Sequence, residues 1–167
     1  QRNQGVETSL AEYIMFMDDD ILLEKDAIGL LWNCIQSNAV IGGVCAMITN
    51  QRYHTPGTMT RIMYRLMHGK KLKNYAGKCI GPAWNLLPED NEQLPEVNPV
   101  EWMNLGLVIY RKAALPNPVF RSHFTGYSMM EDLTLSLEVA RKWKLFNVRT
   151  ARIFHDSQST LQKKFMF

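Results

Sequence analysis

The chain has 167 residues and a mass of 19.3 kDa, with 46% apolar, 10% aromatic and 21% charged residues. That composition excludes a disordered chain, a collagen-like repeat and a disulfide-stapled miniprotein, and it suits one packed core. The formal charge of +3 is too small to point to nucleic acid as a partner.

Tyr13–Met17 is a short apolar run without alternation, the pattern of a strand buried on both faces of a parallel sheet. It stops abruptly at Asp18-Asp19-Asp20. Ile28, Leu31, Trp32 and Ile35 then recur at helical spacing, and Val40–Ile48 reads as a second buried strand weakened by Gly42 and Gly43. Strand, helix and strand in this order predict a parallel crossover unit. The stretch from Ala27 to Gln51 is uncharged, but Asn33, Gln36, Ser37 and Asn38 divide it into two buried elements, not a bilayer span.

Thr58–His68 predicts an amphipathic helix with Met59, Ile62, Met63, Leu66 and Met67 on one stripe and Arg61 and Arg65 off it. Residues 73–100 form an irregular region rich in Gly, Pro, Asn and acids, and loops of that length usually serve function or move. Leu105–Tyr110 returns to strand character, Pro116–Gly126 is loop, Met129–Trp143 is helix and Phe146–Phe154 is a last strand, with 157–167 as a tail. The whole chain, 1–167, reads as one α/β domain without repeats. Cys34, Cys45 and Cys79 are odd in number and far apart, so neither a disulfide framework nor a zinc site is expected, and a reducing compartment follows.

Charge is unevenly spread. No Asp or Glu occurs from Ala27 to Pro88, while Arg52, Arg61, Arg65, Lys70, Lys71, Lys73 and Lys78 do; that segment is +7 and the rest of the +3 chain is therefore −4. A one-sided basic stretch suits phosphate, anionic lipid or an acidic substrate, and equally a solvated basic face.

Four groups carry candidate chemistry. Asp18, Asp19 and Asp20 lie just past the carboxyl end of a strand, where open α/β sheets bind ligands. Adjacent carboxylates repel unless a cation compensates, and hard oxygen donors suit Mg2+ or Mn2+. The plain alternative is a polar cluster ending a strand. Ser128 and Glu131 fit a capping box, with Asp132 adding negative charge to the first turn. A carboxylate there is also placed to act as general base on a hydroxyl. His155 follows the last strand and precedes Asp156; alone, it is an ordinary surface histidine. Trp102, Asn104 and Gly106 precede an apolar strand, with Gly106 marking close backbone approach and Trp102 equally suited to the core.

In chain order, Arg2-Asn3-Gln4-Gly5, Tyr13–Met17 with the three acids, Trp102-Met103-Asn104-Leu105-Gly106-Leu107-Val108-Ile109-Tyr110-Arg111, and Phe124, Tyr127 and Glu131-Asp132-Leu133-Thr134-Leu135 precede His155 and Ser159-Thr160. This ordered set resembles the family 2 glycosyltransferases of the GT-A fold. The resemblance implies a Rossmann-like mixed sheet flanked by helices, in an N-terminally truncated fragment lacking the first nucleotide-binding strands. Thr134 stands where many members carry Asp, and Met130 where many carry Gly.

Residue by residue, the resemblance implies that Arg2 and Asn3 lie near the nucleotide base or ribose. Asp18 and Asp20 match Asp-x-Asp, with Asp18 towards the ribose and Asp20 on the divalent metal. Asp19, Asn104 and Gly106 would line the nucleotide sugar, and His155 would join the metal or diphosphate. Asp132 would be the catalytic base, supported by Glu131, with Trp102 and Tyr127 on the acceptor side. The implied activity is inverting, metal-dependent transfer from a nucleotide-diphosphate sugar to a glycan or lipid-linked acceptor, in cell-surface polysaccharide or glycoconjugate synthesis. Gln158-Ser159-Thr160-Leu161 does not match the Gln-x-x-Arg-Trp of processive synthases, so a non-processive enzyme is expected.

The expected location is cytoplasmic, peripheral at the inner face of the plasma membrane. Residues 58–73 would contact that membrane, grip a lipid-linked pyrophosphate, or simply pack beside the acceptor cleft. Two rivals are a haloacid-dehalogenase-like phosphohydrolase, whose strand also ends in Asp-x-Asp, and a non-catalytic nucleotide-sugar-binding remnant.

Overall fold

The computed structural model describes residues 2–51, 56–69, 72, 74–81, 84–89, 91–121 and 130–156. Along the chain run α1 (Arg2–Thr8), β1 (Tyr13–Met17), β2 (Ile21–Leu23), α2 (Ala27–Gln36), β3 (Ile41–Ile48) and α3 (Thr58–His68). They are followed by β4 (Cys79–Ile80), β5 (Trp84–Asn85), β6 (Val97–Val100), β7 (Leu107–Arg111), a 3₁₀ turn (Lys112–Ala114), α4 (Glu131–Val139) and β8 (Lys144–His155).

The main sheet has the order β1-β7-β3-β8-β2, with β6 also paired to β8. Among the described strands of this sheet only β3 and β8 are parallel neighbours; β1 with β7, β3 with β7, β2 with β8 and β6 with β8 are antiparallel. The fold is thus mixed α/β with a mixed sheet. The expected parallel crossover from β1 to β3 is corrected: the two strands run the same way, but β7 lies between them. Nor is β1 buried on both faces. It is the last strand of the described sheet, its Met15 and Met17 exposed and its other residues half-buried. A run without alternation identifies a strand but not its neighbours, and those come from residues nearly a hundred positions away.

Side chains of the central strands alternate between two cores. Leu107 and Ile109 of β7 join Val44, Ala46, Ile48, Val148 and Ile153 under α2. Val108 and Tyr110 join Cys45, Leu145 and the inner residues Leu135 and Val139 of α4. All eight residues of β3 are buried. Its two glycines do not weaken it; they make room. A Cβ on Gly42 would collide with Cβ of Trp143, and one on Gly43 would sit 2.6 Å from Met103 Cε and 2.8 Å from the Tyr110 ring.

The amphipathic helix α3 has the expected bounds, but its apolar stripe is not its buried face. Tyr64 is the buried residue, packed with Tyr75 and Ile80. Helix α4 is shorter than Met129–Trp143. It starts after Met130, whose φ of +84° is left-handed and which offers no side-chain cap. Ser128, the expected cap, lies outside the described residues, as do Phe124, Tyr127, Ser159 and Thr160.

The region 73–100, expected to be irregular, holds the β4–β5 pair and β6 on β8, and two distant side chains tie down further parts of it. Arg149, buried in β8 where its register to β3 shifts, donates to the carbonyls of Glu89 (3.2 Å), Leu94 (2.7 Å) and Pro95 (3.3 Å). Trp102 donates its indole N–H to Leu86 O at 2.8 Å. Cys34, Cys45 and Cys79 are free thiols. Among the described residues, no helix is long and apolar enough to cross a membrane.

Candidate metal and transfer site

The aspartates occupy the exit from β1. The backbone N–H of Asp18 donates to Gly106 O (3.0 Å), extending the β1–β7 ladder by one bond. Asp19 and Asp20 then turn the chain into β2, whose antiparallel register sets Ile21 opposite His155. Asp156 N–H donates to Asp20 O (2.8 Å), closing that corner. This register carries His155 back over more than a hundred residues to the three acids.

The result is a compact donor set. His155 Nε2 lies 3.6 Å from Asp18 Oδ2 and 3.4 Å from Asp20 Oδ1. One ligand atom from each of Asp18, Asp20 and His155 fits within 4.8 Å of the others, all three side chains being half-buried. Asp19 is exposed and outside the set. Two carboxylates and an imidazole suit a divalent ion, and the nitrogen donor favours Mn2+ over Mg2+, which prefers an all-oxygen shell.

Asn50 supports this set, although no sequence motif includes it. Its Oδ1 accepts from His155 N–H at 3.0 Å, and its Nδ2 donates to His155 O at 2.7 Å. The neighbouring Thr49 donates from both its N–H and its hydroxyl to Ile153 O. An asparagine in the turn after a buried strand follows no spacing rule that would mark it.

Asp132 stands in the first turn of α4, half-buried, with its Oδ1 accepting from Leu133 N–H at 2.7 Å. Burial pushes its carboxyl above the usual range. The Leu133 bond opposes that shift, and the negative charges of Glu131 and Asp18 add to it. Of the triad, the charge of Asp18 reaches Asp132. A carboxyl raised in this way is a better proton acceptor than a solvated one.

The other candidates divide. Arg2 reaches Glu131 at 3.4 Å and lies over the Phe120 ring, 5.4 Å from its centroid, so α1 flanks the start of α4. Asn3 uses its whole amide on the backbone of Phe120, donating to the carbonyl at 2.7 Å and accepting from the N–H at 2.8 Å. Trp102 is buried with its N–H occupied, as the core alternative anticipates. Gly106 adjoins Asp18 through its carbonyl, and a Cβ there would meet only ordinary contacts at 3.5 Å. Asn104 Oδ1, one of those contacts, is buried with no hydrogen-bond partner among the described residues. Tyr127 lies outside the described residues.

No family model matches the chain, and no curated protein matches it.

Proposed function

We propose that this chain is a GT-A-type, inverting, non-processive glycosyltransferase. It would move a sugar from a nucleotide-diphosphate donor to a hydroxyl of a glycan or lipid-linked acceptor. The observation that carries this reading is the meeting of Asp18, Asp20 and His155 at one corner of the sheet, with the charge of Asp18 felt at Asp132. The resemblance of the ordered residues to the family 2 glycosyltransferases supplies the reaction class.

Asp18, Asp20 and His155 would hold a divalent ion, Mn2+ by the chemistry of the set. When bound, that ion neutralises charge on the departing nucleotide diphosphate. Asp132 takes the proton of the acceptor hydroxyl as its oxygen forms a bond to the anomeric carbon. The bond from that carbon to the diphosphate breaks on the opposite face, carrying its electron pair to the leaving oxygen and inverting the centre. Glu131, paired with Arg2, keeps the start of α4 in place. The phosphohydrolase alternative would instead use Asp18 as nucleophile on a phosphate monoester.

The test is isothermal titration with UDP, GDP and dTDP, with Mn2+ and again with EDTA, followed by assays for sugar transfer and for phosphate release. Metal-dependent binding of a nucleotide and transfer of label from its sugar is the expected result. Phosphate release from a monoester without sugar transfer overturns the reading, and so does a chain that binds none of the three.

A further inference from the structure

Helix α3 turns its apolar side outwards. Met59 is 78% exposed, Leu66 79%, Ile62 51% and Met63 39%. At 3.6 residues per turn these four side chains occupy an arc of about 100° opposite Tyr64. Tyr64 anchors the helix from below: its ring lies 5.4 Å from that of Tyr75, whose hydroxyl donates to Arg61 O at 3.5 Å. Gly69, at φ +71°, ends the helix. The outward arc is therefore held by a fixed base and does not result from a loose helix.

Arg61 and Arg65 are exposed along one flank of that arc. The segment Ala27 to Pro88 contains seven basic residues and no acid of its own, and of these Lys78 lies 4.0 Å from Glu101 Oε1. A second copy of the chain would bring these like charges together, which opposes self-association through this face. An apolar arc flanked by long cationic side chains matches the boundary between acyl chains and anionic headgroups. We infer that α3 is an interfacial helix that seats the protein on a bilayer surface bearing anionic lipid, with Met59, Ile62, Met63 and Leu66 inserted and Arg61 and Arg65 on the headgroups. This inference does not depend on the glycosyltransferase reading.

Flotation of the intact chain with vesicles tests it. The chain is expected to float with phosphatidylcholine vesicles that contain phosphatidylglycerol, to remain behind with phosphatidylcholine alone, and to be released as salt rises. Removing both arginines (R61Q/R65Q) should weaken binding by about fivefold per charge. The M59S/L66S pair alters only exposed side chains and should abolish flotation with an unchanged circular dichroism spectrum. Several results overturn the inference: no flotation with anionic vesicles, equal flotation with neutral ones, or R61Q/R65Q binding as the parent does. So does a concentration-dependent dimer in sedimentation that M59S/L66S disperses, because a second copy would then cover the face.

Discussion

Asn50 grips the peptide groups on both sides of His155, accepting from its N–H and donating to its carbonyl. His155 is thereby held through its backbone by a residue of the turn that follows β3. Outer partners of metal-binding residues commonly cost roughly 10–100-fold in metal affinity when removed. On the proposed reading, Asn50→Ala should weaken Mn2+ binding by that order and lower stability by about 1–3 kcal/mol as two partners are left unpaired. Asn50→Asp keeps the acceptor for the His155 N–H and should fall between. Mn2+ titration by electron paramagnetic resonance, alongside urea melts, separates the effects. Undiminished Mn2+ affinity in Asn50→Ala would confine Asn50 to the fold.

Asp132→Asn tests a sign. The carboxyl is raised chiefly by burial, with the charges of Glu131 and Asp18 adding to it, so these effects outweigh the Leu133 N–H bond. A folded-state pKa above the unfolded value means the neutral acid is the form the fold prefers. Its stabilisation is present below the unfolded value, about 3.9, and is lost as pH rises through the higher folded value. In metal-free protein Asp132→Asn should therefore be more stable than the parent near pH ~7, the advantage shrinking as pH falls towards ~4. Sugar transfer should disappear in the same variant while nucleotide binding persists. A variant less stable at neutral pH contradicts the burial argument, whatever its activity.

How much of the fold and site is legible in the sequence depends on how local the cause is. The bounds of helix α3 can be read because its pattern and Gly69 lie within one segment, yet the pattern does not reveal which side faces inward. That is decided by Tyr75 and Ile80, which claim Tyr64 and leave the methionines outside. Asp18 and Asp20 are visible as a motif, and His155 as a residue after the last strand. Their meeting depends on the three-residue strand β2, too short to carry a pattern, whose register with β8 sets the geometry. Met130 shows the limit from the other side. Its left-handed backbone suits glycine, the residue many members of the resembled family carry there, while the methionine itself gives no sign of it.

The glycines of β3 and of the site should respond differently to a methyl group. At Gly42 the added Cβ meets Cβ of Trp143, lies 2.8 Å from Trp143 Cγ and 3.1 Å from Ala114 Cβ. These atoms are close to the backbone and cannot swing away, so Gly42→Ala should cost about 1–3 kcal/mol by overpacking. At Gly106 the contacts are ordinary, and the carbonyl that holds Asp18 is untouched. Gly106 is buried but its backbone is not left-handed, so Gly106→Ala should be neutral or stabilising by up to ~1 kcal/mol. Thermal melts of the two variants decide it. A large loss at Gly106 would mean that its neighbours Asn104, Ile48 and Ile153 cannot absorb the methyl group.

Arg149 ties residues 89–96 to the sheet. Its guanidinium donates to three main-chain carbonyls, while its own backbone N–H donates to Glu96 O at 2.8 Å. Arg149→Met fills a similar volume but removes every side-chain donor, leaving the carbonyls of Glu89, Leu94 and Pro95 without these bonds. Hydrogen bonds from charged donors are worth about 1.5–3 kcal/mol each, and the backbone bond to Glu96 survives, so the expected loss is about 3 kcal/mol rather than the sum. The effect should be local. Amide exchange should accelerate in residues 91–96 far more than in β3, whose ladder to β7 does not involve Arg149. Limited proteolysis should then cut between 89 and 96 before any other described segment. Uniform loss of protection across β3 and β7 would instead make Arg149 a support of the whole sheet, and the irregular region would then open only together with it.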